Sequence, residues 1–251
     1  MRIPTLKGLI YRGRMLTEGR LDCFASILPY VYNKKGLEIG GPSEVFKRWH
    51  SPLPIYSRVA SLDNCDISRN TVWAAHSDTY KFSPSKAPGK TIFCDGSNLS
   101  SVADQTYDFI LSSHNLEHFA NPIKALREWK RVTRPEGALI LVLPHYAKTF
   151  DHRRTPTSVE HMVADYEGNT QEDDLTHLPE ILQAHDLSRD PAAGSIEEFR
   201  RRSLDNLTNR CLHHHVFDEN NSRGLLTASG MTVLATQLAF PFHICLLARM
   251  S

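Results

Sequence analysis

From residue 36 onward the chain alternates short apolar runs with stretches of helical spacing, and this alternation restricts its fold more than any other feature. Strands separated by helices pair in parallel, because a right-handed crossover returns each strand alongside its predecessor. Gly36-Leu37-Glu38-Ile39-Gly40 reads as a first strand running into a glycine turn. Arg58 to Leu62 reads as a second, ending at Asp63, and Thr91 to Cys94 as a third, ending at Asp95. Tyr107 to Leu111 and Ala138 to Leu143 supply a fourth and a fifth. Between these two, Ile123, Leu126, Trp129 and Val132 recur at helical spacing behind an Asn121 cap and Pro122. A helix from Asp218 to Ser229 stops at Gly230, and the apolar runs Thr232 to Phe240 and His243 to Ala248 close the sheet.

Residues 145–215 break the rhythm. They are polar and rich in His, Asp, Glu and Arg, and a stretch of this length is expected to contain helices. An insertion after a strand's carboxyl end falls where open α/β sheets bind ligands. The expected organisation is therefore a sheet domain of residues 36–144 and 216–251, an inserted substrate-binding cap at 145–215, and an N-terminal helical lid segment at 1–35. Lys and Arg total 29 against 28 Asp and Glu, a net charge of +1 that argues against a nucleic-acid partner. Five scattered cysteines without a CxxC pair suit a reduced, cytoplasmic protein. No apolar run approaches the ~18 residues of a membrane span.

A glycine turn after the first strand lets backbone approach a nucleotide. The dinucleotide fingerprint G-x-G-x-x-G is absent, which counts against a nicotinamide enzyme: Gly40 and Gly41 are adjacent and Pro42 and Ser43 follow. Leu37-Glu38-Ile39-Gly40-Gly41-Pro42-Ser43 resembles motif I of the class I methyltransferases, with Pro42 where the second glycine normally falls. The Gly-Gly-Pro-Ser variant resembles methyltransferases of glycan pathways. Asp63, Asp95-Gly96-Ser97 and Ser112-Ser113-His114-Asn115-Leu116-Glu117-His118 follow in the family's order, as does the helix ending at Arg134-Pro135-Glu136-Gly137. Glu172-Asp173-Asp174-Leu175-Thr176-His177 and His213-His214-His215-Val216-Phe217-Asp218 extend the likeness to actinobacterial sugar O-methyltransferases of polymethylated polysaccharide synthesis.

The resemblance implies a Rossmann-like class I methyltransferase sheet, parallel with an antiparallel closing strand, and S-adenosylmethionine as cofactor. Its contacts would come from Glu38, Gly40, Gly41 and Ser43, from Asp63 at the ribose, from Asp95 and Gly96 at the adenine, and from Asn64 and Ser113. The implied reaction is methyl transfer to a hydroxyl of a sugar or oligosaccharide. An alcohol's pKa lies far above neutral, so a base or a divalent ion such as Mg2+ is expected beside it. His145, placed after the fifth strand, is the preferred base and His118 the second candidate. A helical turn would set His114, Glu117 and His118 on one face. His114, Tyr146, Glu172, Asp173, His177 and His214 are the expected substrate contacts; His152, His161 and Asp174 share the polar surroundings of the insertion, where carboxylates and imidazoles, with His213-His214-His215 at the far edge, could bind a divalent cation or sugar hydroxyls. Phe150 and Tyr166 offer aromatic faces.

Alternative acceptors are phenols or other small-molecule hydroxyls. The protease pattern H-x-x-E-H is matched by residues 114–118, but here it follows a βα strand. A methyltransferase-like binding protein without activity is the reading of a different class. The expected assembly partner, if any, is a second copy of the chain.

Overall fold

The computed structural model describes residues 21–72 and 75–250. Eight strands form one sheet: β1 (Lys35–Ile39), β2 (Ser61–Asp66), β3 (Thr79–Tyr80), β4 (Gly89–Phe93), β5 (Tyr107–Ser113), β6 (Thr133–Pro144), β7 (Met231–Ala239) and β8 (His243–Met250). Their order is β3-β4-β2-β1-β5-β6-β8-β7. Strands β4, β2, β1, β5 and β6 run parallel, and β8 inserts antiparallel between β6 and β7. The expected α/β sheet with an antiparallel closing strand is therefore present, with the short antiparallel β3 added at the far edge.

The central strands are apolar on both faces, as a sheet covered on both sides requires. Along β6, Leu139, Leu141 and Leu143 enter one core while Ala138, Ile140 and Val142 enter the other. The first core is roofed by α3 (Pro122–Val132), α4 (Val159–Glu167) and α8 (Glu219–Ala228). Asn121 caps α3 by accepting the Lys124 N–H, and Pro122 occupies its first turn, as the sequence predicts. Trp129 of α3 is fully buried and donates its indole N–H to the Gly96 carbonyl at 2.9 Å, tying this helix to the loop after β4.

The second core is built differently. The helix α1 (Cys23–Val31) lays Phe24, Ile27 and Val31 against it, together with an aromatic group of Phe46, Tyr56, Tyr80 and Phe82. Residues 1–20 of the expected lid lie outside the described residues. The described remainder, α1, backs the sheet rather than covering its carboxyl end. After β1 the chain makes only a four-residue helix, α2 (Glu44–Lys47), so the glycine loop is not backed by a long helix dipole.

Strand β2 starts three residues later than the sequence pattern suggests. Val59 fills the second core from a turn, where Asn33 N–H bonds to the Arg58 carbonyl, and pairing with β1 begins at Ser61. Asp63 is thus inside the strand, and Asp66 stands at its carboxyl end.

The inserted segment carries α4, α5 (Leu178–Ala184), α6 (Ile196–Leu204) and α7 (Asn206–Asn209). It has a small core of its own formed by Leu178, Ile181, Ala193, Phe199 and Leu212. Polar anchoring supplements that core: the buried Arg154 guanidinium bonds to Asp151, Glu180 and the carbonyls of His213 and His214. No helix among the described residues is long and apolar enough to cross a membrane.

Candidate active site

Strand order reverses between β1 and β5, and open α/β sheets leave a crevice at the carboxyl ends there. A cavity of about 1100 Å³ occupies that position. Gly40, Gly41, Asp66, Asp95 and Gly96 line its sheet side, and Lys148, Thr149, Phe150, Arg189, Asp190, Arg202, Arg210 and His213 line its cap side.

The glycine loop is held open by what lies beneath it. Gly40 has φ +75°, and a Cβ there would fall 2.0 Å from the Asn115 amide nitrogen. A Cβ on Gly41 would meet the Tyr80 hydroxyl and the Glu38 carboxyl carbon at 2.3 and 2.5 Å. Both positions therefore need glycine. Glu38 is fully buried under the loop and accepts hydrogen bonds from Tyr56 and Tyr80. Burial pushes its carboxyl up to about 7, against the lowering effect of the two phenols. Asn64 accepts the Gly41 N–H, and the Ser43 N–H donates to Tyr56. Glu38, Ser43 and Asn64 thus shape the loop from behind and do not line the cavity.

Asp63 is also absent from the cavity wall. Its carboxylate accepts the Lys90 N–H at 3.0 Å and the Tyr107 hydroxyl at 3.0 Å, within the strand and short of its carboxyl end. Asp66, three residues on, is the acid at the strand end: it lines the cavity, and the ring of His76 lies 3.2 Å away. Sequence reasoning missed this residue. The polar turn Ile67-Ser68-Arg69-Asn70 after it was the signal for the strand end.

Asp95 sits where expected. One carboxylate oxygen accepts the Ser97 N–H and hydroxyl, and the other accepts from Arg210 at 2.7 Å. Arg210 also reaches Glu172 at 2.7 Å, so one guanidinium latches the cap onto the loop after β4. Glu172 serves this latch rather than facing the cavity, and Asp173 is exposed on the surface away from it. Ser113 is buried within β5 and does not line the cavity either.

His145 caps the short turn Tyr146–Lys148 by accepting the Ala147 N–H, and its ring stacks on Tyr146. Neither residue lines the cavity. The expected one-face arrangement of His114, Glu117 and His118 does not form, because His114 takes φ +52° and the turn starts only at Leu116. His114 lines the cavity paired with His243 at 2.8 Å, and burial depresses it to about 3.

Glu117 and His118 instead meet His213, their ligand atoms lying within 4.8 Å of one another. The His118 Nδ1–H bonds to the Leu212 carbonyl, and burial holds this ring well below its ordinary pKa. Glu117 is fully buried, Oε2 lacks a hydrogen-bond partner, and burial raises the carboxyl to about 7. His213 Nδ1 lies 2.6 Å from the buried Asp151 carboxylate. Burial disfavours charge on this ring, yet Asp151 outweighs it and the pKa rises. A histidine oriented by a buried carboxylate is the arrangement of a general base. Asp151 lies 62 residues from His213, and nothing in the sequence pairs them. His214, expected among the substrate contacts, is buried against Asn206. His177 joins His161 and His215 on the other side of the cap.

The loop and acids fit S-adenosylmethionine: two glycines that must be glycine, a strand-end aspartate, and a second aspartate at the next strand end. The fit to Mg2+ is poor. That ion wants oxygens, whereas Glu117, His118 and His213 offer one carboxylate and two imidazoles, and Asp66, Asp95 and Asp190 already face His76, Arg210 and Arg202.

Residues 42–141 match the family model of a methyltransferase domain. The chain is similar to an S-adenosylmethionine-dependent methyltransferase from Mesorhizobium loti, with TM-score 0.51 and 14% identity over 90% of this chain and 95% of that one. A methyltransferase from Methanosarcina mazei gives TM-score 0.49 and 16% identity over 91% and 98% of the two chains. One from Aquifex aeolicus gives 0.48 and 12% over 100% of both. A search among curated proteins returns no match. Residues 42–141 thus match a methyltransferase-domain model, and the chain as a whole has the Rossmann-like α/β methyltransferase fold.

Proposed function

We propose that the protein is an O-methyltransferase acting on a hydroxyl of a sugar or oligosaccharide. The observation that carries the reading is the polar cap wall of the cavity, where Lys148, Thr149, Arg189 and Asp190 surround Phe150, while Phe119 and Phe242 are the other phenyl rings among the lining residues. Its volume of about 1100 Å³ exceeds the roughly 300–1,000 Å³ that encloses one drug-sized ligand, which suits a cofactor and an acceptor together. A phenolic or lipid acceptor would call for a more aromatic wall.

S-adenosylmethionine supplies an electrophilic methyl group on a sulfonium centre. In this reading Gly40 and Gly41 let backbone approach it, Asp66 takes the ribose hydroxyls, and Asp95 with Arg210 bounds the adenine end. The acceptor hydroxyl lies against His213, whose Nε2 takes the proton while Nδ1–H stays bonded to Asp151. Such proton removal contributes typically 10²–10⁴-fold. The base is assigned to His213 and not to His145, whose Nδ1 is engaged in capping away from the cavity.

The test is methyl transfer to a panel of mono- and disaccharides alongside catechol. Transfer to a sugar, lowered roughly 100-fold or more in His213→Asn with S-adenosylhomocysteine affinity unchanged, is expected. His145→Ala should stay within a few-fold of the parent. Transfer to catechol alone would reject the sugar reading, and a full loss of turnover in His145→Ala with none in His213→Asn would reject the base assignment.

A further inference from the structure

A second cluster lies outside the cofactor cavity, on the opposite side of the 213–215 segment. His161 and Asp165 stand one helical turn apart on α4 and so share a face. His177 precedes α5, and His215 lies on the segment that returns the chain to the sheet domain. The ligand nitrogens of His161, His177 and His215 all fall within 4.8 Å of one another. His161 Nε2 is 3.0 Å from His177 Nε2 and 3.4 Å from Asp165 Oδ2, and His215 Nε2 is 3.6 Å from the same oxygen. Four ligands at zinc distances of ~2.0–2.1 Å in a tetrahedron stand about 3.3 Å apart; the His161–His177, His161–Asp165 and His215–Asp165 separations of 3.0, 3.4 and 3.6 Å bracket that value, and the remaining histidine pairs lie within 4.8 Å.

Hydrogen bonding alone leaves this group unsatisfied. A single N–H between His161 and His177 accounts for their contact but gives nothing to Asp165, whose Oδ2 is buried without a hydrogen-bond partner. Its other oxygen accepts the Thr170 hydroxyl, an outer-shell bond that fixes the carboxylate. His215 is fully buried, and its Nε2 makes a long 3.3 Å contact to the Ala120 carbonyl that the ring gives up when that nitrogen turns to a cation. Three imidazoles and a carboxylate are the donor set of zinc and unlike that of Mg2+ or Ca2+. Half-exposed His161, beside the groove lined by Thr157, Ser158 and Glu180, gives an ion access from solvent.

We infer that His161, Asp165, His177 and His215 form a structural zinc site that staples the inserted cap to the sheet domain. Four protein ligands close the coordination sphere, so the ion there has no open position for chemistry. It joins α4, which packs on the first core of the sheet, and the returning segment to the start of α5, whose own apolar core is small. The inference is independent of the acceptor and of methyl transfer.

The experiment uses the full chain purified without chelator. Elemental mass spectrometry should find about one zinc per chain, and the metal-stripped protein should take up Co2+ with the visible absorption of a four-coordinate ion. His161→Ala/His177→Ala should lose both signals, whereas Glu117→Gln/His213→Asn, in the cofactor cavity, should keep both. If the alanine pair fails to fold, Asp165→Asn preserves side-chain shape. It should weaken zinc, measured against a chromophoric chelator, by at least roughly the tenfold that loss of an outer-shell partner costs. Metal-free protein with no Co2+ band overturns the inference. So does metal that leaves with Glu117→Gln/His213→Asn but stays in His161→Ala/His177→Ala, or zinc affinity unchanged in Asp165→Asn.

Discussion

Asp63 and Asp66 separate two roles that the sequence pattern assigns to one residue, and a pair of alanine variants tests the separation. Asp66 stands at the carboxyl end of β2 beside the glycine loop, because Gly40 N–H bonds to the carbonyl of Cys65. A carboxylate accepting two ribose hydroxyls makes two charge-assisted hydrogen bonds of ~1.5 kcal/mol or more each. Losing ~3 kcal/mol corresponds to a roughly 100-fold rise in Kd. Asp66→Ala should therefore weaken S-adenosylhomocysteine by about that factor in calorimetry. Asp63→Ala should act on stability instead, because it strips the acceptor from the Lys90 N–H and the Tyr107 hydroxyl. Two donors left without partners cost at least ~2 kcal/mol together. For a chain of this size that lowers Tm by roughly 4–8 °C. Its ligand affinity should stay within a few-fold of the parent at a temperature where it is folded. The reasoning fails if Asp63→Ala melts like the parent yet no longer binds, or if Asp66→Ala binds normally.

Three further outcomes follow from the same geometry. Arg210→Ala removes both 2.7 Å contacts of the latch, and hydrogen exchange should rise in residues 206–212 and around Glu172 while the sheet stays protected. Gly41→Ala forces a Cβ onto the Tyr80 hydroxyl and the Glu38 carboxyl, so calorimetry should find S-adenosylhomocysteine binding lost or reduced at least about tenfold. Glu38 keeps its proton in the folded protein up to about pH 7, whereas the unfolded chain releases it near its ordinary 4.5. The folded state then binds more protons across that window, so the contribution of Glu38 to stability is full below about pH 4.5 and lost as pH rises through about 7. Glu38→Gln should flatten this part of the unbound protein's Tm-against-pH curve, and identical slopes for the two proteins would exclude the assignment.

The sheet was legible because its signals are local. Alternation along β6, the Asn121 cap with Pro122, and the stop at Gly230 are each read within a dozen residues, and each stands where the pattern put it. The site was legible only where it rides on those signals. Gly40, Gly41, Asp95 and Gly96 follow strand ends that were read within a residue or two, and they line the cavity. Asp63 was misplaced because a three-residue error in β2 moves the strand end and turns a side chain to the other face, the sensitivity that a period of two imposes.

The cap resisted for a different reason. His213, His214 and His215 are neighbours of one type, and periodicity gives no means of telling them apart. The fold gives them three different partners: Asp151, 62 residues away, for His213; Asn206 for His214; and the His161, Asp165 and His177 group for His215. What separates them is which buried polar side chain each ring faces, and partners as distant in sequence as Asp151 and Asp165 are assigned only by tertiary structure. A 3.4 Å hydrogen bond from the His215 N–H to the Glu117 carbonyl lies between the two groups. A shift of the returning segment would therefore move the proposed base and the proposed zinc ligand together. If zinc fills the proposed site it would help hold His213 against Asp151, and removing it should loosen the base geometry even though the ion touches no substrate.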